Sequence, residues 1–442
     1  MRDKRALVDL GKVQEMMIIP DMKFPVHIRD TVTLDHDIDG DLLAQAWERT
    51  KRVYPLVDTV LGYDRDPRVY AERGSYGKYP RDHAYLVEPA GGESVPLESV
   101  VPVAPCSQAA GGRPVCVSYY GRRITLSCFH SFVDGAGMLK ILSTLVYCYL
   151  ALHTGHEDEH PVVDLQEGRE PAQYYTPVNG EFVYAQPFTP TPLYTLPLGV
   201  LGYQDVGLVY GSKGGIPQVL AGSMDVSVED FMRLCKSNGA NPSAMLCALL
   251  ARATFLVNPE EAEDLVCEVT VSMRKDFGLE ESIANCFGTA VTYVLRSEVE
   301  DGALAEVSRR IRADVTSQRG KDYFLSRERT FSMYDCVKSY APRTVTYRGT
   351  FDIGENNAHV RDFVFETGAK AAIYFTQLND RFVLSVQHGM VTDAYLRAFE
   401  RLFAELGVEA TISHPTYAVT LEPQAPVLSD DTVPTDDNGE RC

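Results

Sequence analysis

Ten residues in the first third of the chain, Cys128-Phe129-His130-Ser131-Phe132-Val133-Asp134-Gly135-Ala136-Gly137, carry the parts of a proton-transfer site. His130 stands four residues ahead of Asp134, and glycine follows the aspartate directly. An unperturbed imidazole titrates near pH ~6.5, so its neutral form is available as a general base at neutral pH. Phe129, Phe132 and Val133 are apolar groups that would desolvate the ring and hold it neutral. Asp134 can touch the imidazole, or it can bind an arginine and fix the loop. Gly135 and Gly137 admit positive φ and remove side chains where a substrate must approach.

Such a histidine needs a rigid mount. The run 122–129 reads as a strand leading into the motif, and 137–152 reads as a helix leaving it, with Met138, Leu139, Leu142 and Val146 as its buried stripe. Reactive groups commonly sit on a loop between two such elements. Further strands are expected at 26–36, 81–88, 114–120, 218–228, 265–274 and 289–296, with a hairpin at 371–376 and 381–387. Helices are expected at 39–55, 229–238, 242–256, 302–320 and 393–406. RITLSCFHSFVDGAGM at 123–138 also aligns without gaps on RFVLSVQHGMVTDAYL at 381–396, so that His130 meets His388. Two strand–loop–helix units in one chain point to duplicated halves. The expected organisation is an N-terminal half at 1–160, a crossover linker at 161–216, a C-terminal half at 217–420 and a disordered tail at 421–442.

Bulk properties narrow the function. A formal net charge of -19 opposes nucleic-acid and anionic-membrane partners, both of which call for basic surface. No uninterrupted apolar run is long enough for a signal peptide or a membrane span. The 10 cysteines are scattered, several in apolar runs and none in a C-x-x-C pair, which reads as buried free thiols in a reducing cytoplasm.

H-S-F-V-D-G is an instance of H-x-x-x-D-G. On it the chain resembles, over roughly residues 12–410, the superfamily of CoA- or carrier-protein-dependent acyltransferases. That superfamily includes chloramphenicol acetyltransferase, condensation domains of nonribosomal peptide synthetases, plant BAHD acyltransferases and microbial alcohol acetyltransferases. DGDLLAQAWERTKRVYPLV resembles the family's early helix. VSMRKDFGLEESIANCFGTA resembles its segment with an arginine on a strand followed by Asn-x-x-Gly. VTYRGTFDI resembles a late stretch of the alcohol acetyltransferase-like group, which is nearest in character.

The resemblance implies an α/β fold of two chloramphenicol-acetyltransferase-like halves, each a mixed β-sheet with flanking helices, forming a pseudo-dimer with a tunnel between them. It implies acyl transfer from acyl-CoA, a co-substrate and not a permanently bound cofactor, to a small-molecule alcohol or amine, with O-acylation favoured. His130 would be the base, with no acyl-enzyme. Asp134 would pair with Arg274 and, with Gly135, shape the loop. Phe129, Phe132, Asn285, Gly288 and His388 are candidates to line the tunnel.

The chain also departs from the patterns of the family it resembles. Phe129 stands where condensation domains carry a first histidine, and no D-F-G-W-G occurs. Arg327, Arg329, Arg343 and Arg348 could meet CoA phosphates or be surface charge. A condensation-type enzyme taking its acyl group from an acyl carrier protein stays open, as does a non-catalytic binding descendant. HEDEH at 156–160 spells a zinc-protease pattern, but Gly155 and Pro161 flank it and it has no apolar face, so it reads as an acidic loop and no metal site is assigned. GSKGG at 211–215 lacks the G-K-[ST] of a phosphate loop.

Overall fold

The computed structural model describes residues 27–62, 86–89, 94–130, 132–159, 161–169, 176, 178, 180–197, 220–259, 264–300, 304–330, 343–367, 372–388 and 392–419. Ser131, His160, the glycine-rich 211–215 and the tail at 421–442 lie outside them.

The first half contains β1 (His27–Leu34), α1 (Gly40–Val53), β2 (Thr59–Gly62), β3 (Leu86–Pro89), β4 (Leu97–Glu98), β5 (Val115–Tyr120), β6 (Arg123–Phe129) and α2 (Gly135–Thr154). The crossover contains α3 (Gly180–Ala185). The second half opens with β7 (Leu220–Ser227), α4 (Val228–Ser237), α5 (Pro242–Val257), β8 (Asp264–Ser272) and α6 (Arg274–Phe277). It continues through β9 (Phe287–Leu295), α7 (Arg296–Glu300), α8 (Leu304–Ser317), α9 (Lys321–Thr330), β10 (Arg343–Phe351) and β11 (Val360–Thr367). β12 (Ala372–Leu378), β13 (Arg381–His388), α10 (Ala394–Glu405) and β14 (Ala410–Ala418) complete it.

Two mixed sheets organise the described residues, in the orders β11-β1-β6-β5-β4 and β14-β7-β13-β12-β10-β8-β9. The first five strands of each correspond. β6 runs antiparallel between β1 and β5, as β13 does between β7 and β12. β4 lies parallel to β5, as β10 does to β12. β11 flanks β1, as β14 flanks β7, both antiparallel. The repeat seen in the sequence is therefore a repeat of topology. One strand breaks the sequence boundary: β11 lies within 217–420 but belongs to the first sheet. Its second edge is met by the other lobe, where Ser385 Oγ accepts from Phe365 N at 3.3 Å and Gln387 Oε1 from Thr367 N at 3.3 Å.

Each sheet has its own apolar core. In the first, α1 is capped by Asp39, whose carboxylate accepts from Asp41 N and Leu42 N at 2.9 and 3.1 Å, and α1 packs Leu43, Ala46 and Trp47 toward α2. α2 is long and apolar enough to cross a membrane, yet most of it is buried as the core helix of this lobe. It ends at Gly155, whose φ of 69° is the left-handed conformation of a helix C-terminus. The eight described cysteines are free and buried. The expected linker is pinned to the second lobe: Asp322 Oδ1, Ser326 Oγ and the Tyr323 hydroxyl on α9 accept from the amides of Thr189, Thr191 and Tyr194 at 2.9, 2.9 and 3.1 Å.

Candidate active site

β6 is buried from Ile124 onward and ends at Phe129, so His130 emerges where the sheet stops. A tight turn follows, with Phe132 N donating to Phe129 O at 2.9 Å, and Asp134 begins α2. His130 is partly buried, and its Nδ1 lies 3.0 Å from the Val133 carbonyl. A carbonyl oxygen only accepts, so Nδ1 carries the proton and the lone pair rests on Nε2. Desolvation is the leading influence on the ring and lowers its pKa below the ordinary 6.5; the Asp134 charge opposes this and the Arg348 charge reinforces it. The ring is thus a neutral base with a fixed tautomer.

The loop around it is held from the opposite lobe. Asp134 Oδ1 accepts from Arg274 Nη2 at 2.6 Å and from Gly137 N at 2.8 Å, and Oδ2 accepts from Cys286 N at 3.0 Å. One carboxylate thereby caps α2 and joins the lobes. Burial pushes the Asp134 carboxyl up, but Arg274 and the two backbone amides outweigh it and hold the group below the usual carboxylate range. Arg274 also donates to the carbonyls of Ser282 and Ala284, each at 2.9 Å. It stands just past the end of β8, opening the single turn of α6, and not on the strand that was expected to reach it. Asn285 Nδ2 donates to the His130 carbonyl at 2.9 Å. His130, Asp134, Arg274 and Asn285, spread over 156 positions of sequence, form one hydrogen-bonded unit.

The two glycines act differently from expectation. Neither has positive φ. A Cβ on Gly137 would lie 2.0 Å from the Ile283 carbonyl, and one on Gly135 would lie 3.0 Å from Arg348 Nε. Both positions are bare so that the other lobe can approach α2, not so that a substrate can.

The remaining candidates divide. Phe129 and Phe132 are buried in the core of the first lobe, where they pack the sheet. Gly288 lies beneath Phe324, 2.9 Å from where its Cβ would be. His388 ends β13, completely buried, with Nε2 3.4 Å from Thr416 Oγ1. Of the arginines offered for phosphates, Arg348 is buried on Asp30, which accepts from Nη1 and Nη2 at 2.5 and 2.7 Å, and stacks 3.8 Å from the centre of Phe365. It also donates to the Gly135 carbonyl at 3.1 Å. Arg327 donates to the Thr289 carbonyl, and Arg329 donates to the Val183 and Gln186 carbonyls at 2.9 and 2.8 Å. Three of the four are therefore engaged inside the protein, and the Arg343 side chain lies outside the described residues. His156 and Glu157 lie on an exposed loop after α2 and not on a helix.

The sequence reading missed Phe287, whose ring centre is 6.3 Å from that of His130, and Arg348 as a support of the motif loop. Phe287 lies inside the Asn-x-x-Gly stretch, so the segment was recognised but its aromatic residue was not.

No family model and no curated protein matches the chain. Solved structures do. Polyketide synthase associated protein 5 from Mycobacterium tuberculosis aligns with a TM-score of 0.62 and 11% identity, over 90% of this chain and 96% of that one. The first condensation domain of the calcium-dependent antibiotic synthetase, in complex with a substrate analogue, aligns with a TM-score of 0.60 and 12% identity, over 90% and 95%. F. sporotrichioides TRI101, complexed with coenzyme A and T-2, aligns with a TM-score of 0.55 and 9% identity, over 89% and 98%. With its two corresponding sheets and a histidine turn between β6 and α2, the chain has the two-lobed fold of the chloramphenicol-acetyltransferase-like and condensation-domain acyltransferases.

Proposed function

We propose that the protein transfers an acyl group from acyl-CoA to a small alcohol or amine, with His130 as general base. The observation that carries this reading is the fixed tautomer: Nδ1–H is committed to the Val133 carbonyl, and Nε2 is left as the basic nitrogen of a ring whose pKa is lowered. The similar F. sporotrichioides structure holding coenzyme A and T-2 supports CoA as donor and a small molecule as acceptor.

In this mechanism Nε2 removes the proton as the acceptor's oxygen or nitrogen bonds to the thioester carbonyl carbon. The tetrahedral intermediate collapses, the C–S bond breaks, and the departing thiolate recovers the proton from Nε2. No bond to the enzyme forms. The Asp134–Arg274 pair and Asn285 hold the ring's backbone in place and take no part in the proton transfer. General-base assistance of this kind contributes about 10²–10⁴-fold.

The test is thiol release from a panel of acyl-CoAs with mixed alcohols and amines, wild type beside His130→Ala. Acceptor-dependent release that falls at least about a hundredfold in the variant is expected. Release unaffected by the substitution would overturn the assignment of the base. Turnover with loaded carrier protein and none with any acyl-CoA would replace the donor and keep the base.

A further inference from the structure

A second cluster of donor groups lies at the far end of β1. Its other end, His27, pairs with Phe129 beside the base, and an eight-residue strand places the two ends more than about 20 Å apart. Just past Leu34, Asp35 Oδ1 is 2.7 Å from His36 Nδ1, and Asp35 Oδ2 is 3.2 Å from His359 Nδ1. One donor atom from each of Asp35, His36 and His359 lies within 4.8 Å of the others.

The groups are held in place. Asp35 N donates to the His359 carbonyl at 3.0 Å, Leu34 N to Arg122 O at 2.9 Å and Ile38 N to Gly121 O at 2.8 Å. The His36 ring is stacked on one neighbour and close to another: His153, from the last turn of α2, lies on it with centres 3.8 Å apart and 3° between planes, and Tyr149 lies nearly parallel 5.9 Å away at 12°. The cluster's own hydrogen bonds do not close it. His36 Nδ1 is the nitrogen that meets Asp35, and its other nitrogen, Nε2, is buried with no partner among the described residues. Arg361 Nη2 sits 3.0 Å from Asp35 Oδ2, so Oδ1 is the carboxylate oxygen open to exchange its imidazole proton for another cation. The Arg361 side chain is itself 59% exposed and can turn outward.

We propose that Asp35, His36 and His359 bind a borderline divalent cation of the Zn2+, Co2+ or Ni2+ type. Two imidazoles and one carboxylate match that class of ion, whereas Ca2+ and Mg2+ call for sets of oxygen ligands. Ligands at about 2.0–2.2 Å from a tetrahedral ion stand roughly 3.4 Å apart, so the observed spacing needs only small side-chain rotations. Water would supply the fourth ligand. The site would clasp the end of β1 to the entry of β11, the strand that the second half of the chain contributes to the first sheet.

Co2+ is the probe, followed by its visible d–d absorption and by the unfolding temperature of the purified full chain. We expect one ion per chain and a rise in unfolding temperature with Co2+. Affinity should drop at least about tenfold in His36→Gln and, separately, in His359→Gln, because loss of even an outer-shell partner costs 10- to 100-fold. His156→Gln, on the exposed loop, should bind as wild type does. Both ring variants replace partly exposed side chains, and their unfolding temperature without metal reports whether they fold. Absence of saturable binding, binding that survives both ring substitutions, or binding lost in His130→Ala would each overturn the proposal.

Discussion

Replacing Asp134 by alanine tests whether the aspartate of the motif is a brace or a proton carrier. In the native protein its carboxylate accepts three hydrogen bonds, from Arg274, Gly137 N and Cys286 N, in a fully buried setting. The substitution strands a buried guanidinium that keeps only the Ser282 and Ala284 carbonyls, and it also removes the cap of α2. Breaking a buried ion pair by removing one partner costs about 3–5 kcal/mol, and loss of an N-cap typically costs about 1 kcal/mol. The groups overlap, so about 4–5 kcal/mol is expected for the whole change. Arg274→Met should cost less, about 3 kcal/mol, because Asp134 retains two amide donors. The double variant should fall short of the sum by about 2 kcal/mol. Urea unfolding followed through Trp47, the single tryptophan and a core residue of the lobe that carries His130, reads these differences. Asp134→Asn separates brace from carrier in a protein that keeps the cap acceptor. The Asp134 charge raises the His130 pKa, so its removal should move the acidic limb of kcat/KM to lower pH and leave a working base. An unchanged unfolding midpoint in Asp134→Ala, or abolished turnover in a stably folded Asp134→Asn, would refute the bracing role.

Three further outcomes follow from the same geometry. Desolvation lowers the His130 pKa and the neutral ring is the active form, so kcat/KM should be flat at pH 7 and fall only as pH drops through a value below 6.5; a limb above 6.5 would mean that another group controls the rate. Gly137→Ala drives a methyl against the Ile283 backbone carbonyl, which cannot rotate away as a side chain would, and should cost about 1–3 kcal/mol by urea unfolding while kcat falls. His27 is buried, and its pKa is lowered from 6.5 to about 4, first by desolvation and then by the Arg29 charge. At this site the unfolded chain therefore binds a proton that the folded chain refuses, so the His27 contribution, negligible above pH 6.5, should lower stability by about 3 kcal/mol as the pH drops to 4. His27→Gln should lose that share of the pH dependence in parallel unfolding curves.

Local pattern was enough wherever one segment decides its own fate. The strand into His130 and the helix out of it follow from alternation and a 3.6-residue stripe, and they fall within two residues of expectation. β14 was not legible because Pro415 interrupts its pattern. As an edge strand it tolerates that proline, and its pairing with β7 slips on either side of His414. β10 was hidden by Gly349, which takes φ of 118° where the register against β12 shifts. The position of β11 was hidden more deeply. Its residues read as an ordinary segment of the second half, and only the completed first sheet shows where they pair. Candidate site residues divided along the same line. Asp134 and Arg274 could be matched through family resemblance, but the tautomer of His130 depends on a carbonyl, and no side chain encodes that.

The two units, each a strand, a histidine and a helix, hold their histidines differently on corresponding sheets. In both, a strand ends next to a histidine and a helix follows after an aspartate. In the first unit the aspartate stands four residues past the histidine, caps α2 and reaches across to Arg274, so His130 is left on a turn with one nitrogen committed and the other basic. In the second, Asp393 stands five past His388, makes no side-chain bond to the helix it precedes, and instead accepts from Thr416 N at 2.7 Å on β14. From the same residue of β14, Thr416 Oγ1 also meets His388 Nε2, the nitrogen that corresponds to the basic one in His130. The imidazole is completely enclosed. A one-residue displacement of the aspartate, and the strand it contacts, accompany the enclosure of the second histidine where the first keeps its Nε2 basic.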